Sequence, residues 1–504
     1  MANYDFQELL ARLNHLEDTD PGEAISEARR IVADGPQAPN LKVIQAAALV
    51  NAGVLIQARD AVEEGLALYR ELHSTFPTPD VKFNLATAII SAAAFTSEEG
   101  DRLDHLESTK ALRAEARGYF WQVAQNTEAA DAIRTQSWTN LANQLEGSFR
   151  FSEAHDARLA ALKLDPRNGV AAASAIRYLL SCYHQGLCSD LAIHEASALA
   201  QVARSNRDLI IEYAGLQAAN SIEAMIKSLP DALPRDAHAD PFVTWVEQER
   251  LTLAPSVELI DPDLEKLDWL TLPGINEREP ERAVAPPPIF AMFNQLKSDF
   301  ILARDLAWRS MSDRAWPTTG RYADTLDYAV YGPATSALIL AHRAALDLLD
   351  KIAVTANHQF ELGLNYRGVS FGKLWRSPAK SGDRPLTDRV NELIKKGVRS
   401  LYGLSELADD YDALSGRLRP LKDLRNAGTH RFLVLHDFGD PAAARQIDEI
   451  ERYRYDEFRG ETLAALRVAR SAIQMLADAV GQYENLKPIG SDGLLATLDV
   501  PDYQ

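Results

Sequence analysis

The sequence predicts an all-α protein in two helical parts, a repeat array in front and a bundle behind. Three observations lead there. Apolar residues recur at spacings of three and four along most of the chain, the period of an amphipathic helix. Between residue 1 and about 230, large apolar residues alternate with small ones in successive helix-sized blocks. From Pro230 to Pro288, seven single prolines and Pro286-Pro287-Pro288 break that texture, which disfavours long helices and separates the two parts. The expected layout is a repeat domain at 1–229, a proline-punctuated connector at 230–288, a helical bundle at 289–487 and an acidic tail at 488–504.

In the front part the clearest unit runs from Trp138 to Pro166. Trp138, Leu141, Ala142, Leu145, Phe151, Ala154, Ala161 and Pro166 fall at the offsets of a tetratricopeptide (TPR) repeat, with Leu164-Asp165-Pro166-Arg167-Asn168 as its exit. Neighbouring units are less regular. Residues 41–77 read as a helix pair ending at Pro77, Phe83 to Thr87 opens another helix, and Ser97 to Lys110 reads as a charged, loop-like insertion before a helix near 111–125. Residues 170–228 hold at least two more helices. Such units cannot bury their own apolar faces, so they stack and leave a concave groove suited to a peptide or protein partner.

The connector carries Trp245, Leu251, Leu253, Trp269 and Leu270, enough apolar surface to pack rather than hang free. Behind it, four helical runs are legible: Phe293 to Ala307, Leu338 to Ile352, Leu386 to Leu404 and Leu466 to Val480. With a segment near 418–436 this makes about five helices, and a bundle is the natural way to bury their stripes. Gly363 to Asp383 reads as a loop or lid, with Lys373, Arg376 and Lys380 as phosphate contacts or ordinary surface charges.

One stretch has polar residues chosen for chemistry: Leu421-Lys422-Asp423-Leu424-Arg425-Asn426-Ala427-Gly428-Thr429-His430-Arg431-Phe432. On a helix, Lys422, Asn426 and His430 share one face, and Arg425 and Thr429 form the adjacent row. An imidazole near neutrality can take a proton from a ribose hydroxyl or give one to a leaving oxygen, and a guanidinium can grip a phosphate through two hydrogen bonds. The plain alternative is a solvated helix face with Arg425 paired to Asp423 or another nearby carboxylate. Gly428 is a poor helix former and admits a local kink.

This stretch resembles the Arg-x4-6-His signature of the HEPN superfamily, small helical bundles that include many metal-independent ribonucleases, whose common form has Asn directly after the Arg. Pro286-Pro287-Pro288-Ile289-Phe290, Phe293-Asn294-Gln295-Leu296-Lys297, Leu349-Asp350-Lys351-Ile352-Ala353 and Arg425-Asn426 to His430-Arg431-Phe432-Leu433 are similar to the HEPN domains that follow TPR repeats in bacterial and archaeal proteins. The resemblance covers roughly residues 286–487. It implies a metal-independent RNA endonuclease, a toxin or defence effector without cofactor, regulated by the array. It also implies a homodimer through the C-terminal bundle, with the two motifs facing one cleft. Carried onto this chain, Arg425, Asn426 and His430 are catalytic, and Lys422 and Arg431 contact substrate. A non-catalytic HEPN-like module that binds RNA or nucleotide, or only dimerises, on a TPR scaffold is the alternative.

Charge bears on that choice. The chain carries a formal −19, which opposes general binding to a polyanion. Leu296 to Lys487, however, holds 28 Lys and Arg against 26 Asp and Glu, whereas residues 1–295 hold 25 against 43. The acidity is in front, and the bundle is free to form a locally basic cleft. The two cysteines, Cys182 and Cys188, do not have zinc-knuckle spacing and read as reduced, structural thiols. No run of about 18 apolar residues predicts a membrane span, and Met1 to Asp5 lack a basic segment followed by an apolar core, so a cytoplasmic location is expected. His342 and His358 read as structural. His436-Asp437 reads as an imidazole orienter or a turn, and Arg452 to Arg454 with Tyr453 and Tyr455 as an RNA contact or a helix cap.

Overall fold

A computed structural model of the chain describes residues 5–33, 37–95, 101–231, 240–256, 267–278, 286–312, 316, 320–378, 384–413, 416–441, 446–487 and 495–498. The protein is all-α. Its described residues form 19 α-helices, with short strands confined to two small sheets. The chain divides into two compact units, Met1–Leu145 with Ala157–Pro166, and Glu146–Asp156 with Arg167–Gln504.

The first unit starts with α1 (Phe6–Thr19), α2 (Pro21–Arg30), α3 (Ala38–Leu55), α4 (Arg59–Thr75), α5 (Pro79–Ala93) and α6 (Arg102–Gln125), each packed on the next as far as α4 on α5 and α5 on α6. Alanines at 24, 28, 52 and 61 are fully buried beside Leu13, Leu41 and Leu49, so small residues let the helices close on the larger ones. Of the charged segment expected as a loop, residues 97–100 lie outside the described residues, and Arg102 to Lys110 instead belong to α6. Asp101 and Asp104 form a reciprocal capping box at its start, which satisfies the first amide groups and draws Arg102 to Lys110 into helix. The TPR-offset residues other than Pro166 fall on α7 (Asp131–Gly147) and α8 (Phe151–Leu164), with Pro166 just past the end of α8, and the Trp138 ring meets Trp121 edge-on at 5.5 Å.

In the second unit α9 (Gly169–His184) packs on α10 (Leu191–Ser205), and both contact α11 (Arg207–Ile226), which bends at Gly215. Cys182 and Cys188 are free and buried, and burial pushes the Cys188 thiol up to about 12. α12 (Pro241–Gln248) opens the proline-rich stretch. Leu251, Leu253 and Leu270 are buried there, Trp245 lies against Trp308, and Trp269 is exposed. β1 (Ile275–Arg278) pairs antiparallel with a strand at Leu495–Leu498, inside the segment expected as a tail.

The bundle is built from α13 (Pro288–Met311), α14 (Pro333–Gln359) and α19 (Tyr455–Glu484), the last following α15 (Phe371–Leu374), α16 (Asp388–Lys396), α17 (Ser400–Asp412) and α18 (Arg419–His430). Every apolar residue of the runs Phe293 to Ala307, Leu338 to Ile352 and Leu466 to Val480 that sets the helical period is buried. The run from Leu386 to Leu404 is two helices rather than one. Gly397, at φ 119°, takes a left-handed conformation that ends α16. Between α18 and α19 lies a small sheet in the order β2 (Ala329–Val330), β3 (Phe432–His436), β4 (Ile450–Arg454), antiparallel between the first two and parallel between the last two. The supposed lid is pinned by Phe371, Leu374 and Trp375, all buried; Lys380 lies outside the described residues.

A buried ion pair anchors the corner from which α18 departs. Arg150 is fully buried and donates to Asp410 of α17 at 2.6 Å and to both carboxylate oxygens of Glu153. Burial opposes its charge, but the two carboxylates outweigh that and raise its pKa above the ordinary arginine value. Arg150→Met strands Asp410 without its closest cation, so urea unfolding is expected to show a loss of about 3–5 kcal/mol; a change under 1 kcal/mol contradicts the anchoring role.

Candidate active site

The site begins with why residues 419–430 fold as a helix. Pro420 sits at the first turn, where no amide donor is needed. Leu421, Leu424 and Ala427 are buried at spacings of three, and Leu424 joins Leu338, Leu435 and Phe458 in one apolar cluster. Gly428 produces no kink. A Cβ there would lie 3.4 Å from Arg343 Cδ and 3.4 Å from Ile339 Cγ2, an ordinary van der Waals contact, so α18 lies against α14 at this position without depending on the missing side chain. His342 of α14 adds a polar tie, its Nε2 lying 3.3 Å from the Leu421 carbonyl and its ring 5.2 Å from that of Phe458.

The face of α18 toward α14 and α17 is an ion-pair array. Arg425 donates through Nε and Nη2 to Asp347 Oδ1 at 2.9 and 2.7 Å, and through Nη2 to Asp350 Oδ2 at 3.3 Å. Asp350 is itself fixed, since it accepts the Phe371 amide at 2.9 Å. Burial pulls the Arg425 pKa down, but Asp347, Tyr411 and Asp350 together raise it above the ordinary value, so the guanidinium stays charged. Lys422 pairs with Asp412 and stands over the Tyr411 ring at 5.7 Å. Asp423 takes Arg419 at 2.9 Å, so it is not the partner of Arg425. Asp347 and Asp412 were not singled out in the sequence, and Asp350 entered only within the quoted segment Leu349 to Ala353, with no role given. The only signal was the pair Asp347 and Asp350, one helical turn apart, interrupting an apolar run.

Asn426 and His430 are placed differently. Asn426 is half-buried and His430 is exposed at the last position of α18. Neither side chain hydrogen-bonds to a described residue. They share a face one turn apart, whereas Arg425 and His430 are separated by about 7.5 Å of helix rise and about 140° of rotation. Arg431 follows, bonded to Glu451 at 3.3 Å, and Phe432 starts β3 with 72% of its surface exposed.

Most of the remaining candidates are held by partners within the fold. His436 is buried between the Asp327 carbonyl, 2.8 Å from Nδ1, and Arg452. Arg452 and Arg454 are paired to Asp327 and Asp456, and Tyr453 packs on Phe458. Arg376 is buried against Asp409. His358 is exposed near the end of α14, unlike His342.

Arg425, Asn426 and His430 thus lie on one helix of the bundle, which leads through two strands into its closing long helix. Residues 280–483 match the family described as LA2681-like HEPN, and this part of the chain belongs to the HEPN family. A search of the curated proteins found no match. HEPN domains are commonly ribonucleases and usually dimerise and bind RNA. No helix among the described residues is long and apolar enough to cross a membrane.

The His342 tie makes the helix pair pH-sensitive. Burial lowers the imidazole pKa from 6.5 to about 4, so the unfolded chain binds the proton first. The stability this neutral ring preserves is intact above pH 6.5 and is lost as pH falls toward 4, by about 3 kcal/mol. Melting followed from pH 7 to 4 is expected to fall more steeply for the parent than for His342→Gln; parallel curves contradict it.

Proposed function

We propose that this protein is a metal-independent RNA endonuclease, a toxin or defence effector, whose active site is completed by two C-terminal domains in a homodimer. The observation that carries the reading is His430. It is exposed at the end of the motif helix, one turn from Asn426, with no side-chain partner among the described residues, which leaves its ring nitrogens open to a substrate. In the reaction, His430 of one copy accepts the proton of a ribose 2′-hydroxyl as its oxygen attacks the adjacent phosphorus. The bond to the 5′-oxygen breaks, and that oxygen takes a proton from the imidazolium of the second copy. The products are a 2′,3′-cyclic phosphate and a 5′-hydroxyl. Arg425 stabilises the charge that develops on the phosphate, and Asn426 orients the phosphate or His430. Lys422 and Arg431 contact the substrate beside the cut phosphate.

The carboxylates on Arg425 qualify this scheme in a definite way. A phosphate reaching the guanidinium competes with Asp347 and Asp350, so the aspartates hold the group charged and extended until substrate displaces them. The TPR-like array adds a second restraint, because residues 1–295 hold 43 acidic against 25 basic residues and repel RNA until a partner engages the groove. A non-catalytic module that binds RNA or dimerises is the other reading, and the occupied guanidinium is the observation in its favour.

Cleavage of total RNA is expected to persist in chelator and to leave cyclic phosphate ends. His430→Ala is expected to lower the rate on the order of 10²- to 10⁴-fold, and Arg425→Ala to impair it, with His430→Ala melting unchanged. Undiminished cutting by His430→Ala returns the segment to a structural role.

Assembly has its own measurement. One motif supplies one imidazole, whereas the reaction uses a base and an acid, which motivates a two-fold dimer. Light scattering at micromolar concentration is expected to give twice the chain mass. A strict monomer whose activity is linear in concentration removes the two-copy scheme.

A further inference from the structure

The strand that leaves the motif helix carries a feature the reaction above does not use. Arg431, the residue after His430, forms one wall of a cleft of about 350 Å³, whose other walls include Ile447, Asp448, Ile450, Glu451 and Arg452. That volume is at the small end of ligand sites, roughly 300–1,000 Å³. The polar groups around it are incompletely used. Arg431 reaches Glu451 at 3.3 Å and the Asp448 carbonyl at 3.4 Å, both long for charge-assisted bonds. The Asp448 side chain is exposed and accepts no hydrogen bond from a described residue. Arg452 is held by Asp327, yet its buried Nε has no hydrogen-bond partner among the described residues. Phe432 pairs in register with Ile450, so the two side chains lie on the same face of the sheet.

We propose that this cleft is a guanine-binding subsite for single-stranded RNA, next to the phosphate that is cut. The inference rests on the endonuclease reading and adds its substrate preference. Two carboxylates at the rim repel a phosphate, so the cleft selects a base rather than backbone. Guanine is the base with two adjacent donors, N1–H and the 2-amino group, on one edge and two adjacent acceptors, O6 and N7, on another. A carboxylate accepts from the first pair side by side, and a guanidinium donates to the second. Asp448 or Glu451 and Arg431 or Arg452 supply both partners within one cleft. The exposed Phe432 ring gives a stacking surface beside it, and Ile447 and Ile450 give the apolar floor. Because Arg431 is covalently next to His430, a base seated here brings its own phosphate within about one nucleotide of the imidazole. The base must offer its Watson–Crick edge, which a duplex occupies, so the strand is single.

The test uses the full chain and uridine-rich RNA hexamers carrying one guanosine, inosine or adenosine. Inosine keeps O6, N7 and N1–H but lacks the 2-amino donor. Guanosine substrates are expected to be cut roughly 5- to 150-fold faster than the inosine and adenosine forms. Asp448→Asn with Glu451→Gln is expected to erase that preference while leaving the slow cleavage of the adenosine substrate. Binding of 2′-deoxy-substituted hexamers, which cannot be cut, is measured in parallel by fluorescence anisotropy. Cleavage without base preference overturns the subsite and leaves the nuclease. Guanine-selective binding that the double variant loses, in a protein that cuts nothing, keeps the subsite and removes the nuclease. Absence of both cutting and selective binding overturns the two together.

Discussion

The last turn of α17 is where the C-terminal unit is tied together. Three aspartates there each hold a cation from a different element: Asp409 takes Arg376, Asp410 takes Arg150, and Asp412 takes Lys422 of the motif helix. Arg150 and Arg376 are buried, so these are not the weak pairs of an open surface; removing one member leaves the other desolvated. The amide of Leu418 closes on the Asp410 carbonyl at 2.9 Å, which fixes where α18 starts. The placement of Arg425 and His430 follows from that corner.

The same local pairing bears on the proposed RNA substrate, in a domain with near-equal positive and negative charge. Cations around α18 are compensated in place by Asp347, Asp350 and Asp412. Such compensation weakens long-range attraction and leaves recognition to short-range exchange of one anion for another. A surface built this way discriminates between an oriented phosphate and a diffuse negative field, which a bare basic patch does not.

Much of the architecture was legible because it rests on periodicity. The runs on α13, α14 and α19 are buried where spacing places them, and the motif lies on a helix as its pattern requires. What escaped were facts of tertiary geometry. Gly428 is a weak helix former in isolation, but the buried Leu421, Leu424 and Ala427 carry the helix through it. Asp347 and Asp350 are 75 or more residues from Arg425 in sequence, and nothing local marks them as its partners. The strands after the motif were hidden too. Phe432 to His436 continues the apolar spacing of α18, and only pairing with Ala329–Val330 and Ile450–Arg454 makes it extended. Asp101 to Lys110 looked like a loop because charge was weighed above capping.

The parallel pairing of β3 with β4 has a mechanical consequence. Thirteen residues separate His436 from Ile450, and they join two strands whose register is fixed from Phe432↔Ile450 to His436↔Arg454. β3 is the immediate extension of α18, and β4 runs straight into α19, so the strands act as a splint between the motif helix and the longest helix of the bundle. A slip of one residue would turn every side chain of β3 to the opposite face, whereas lengthening the crossover costs little. The imidazole is therefore indexed to the bundle core, whatever the length of the crossover that joins the two strands.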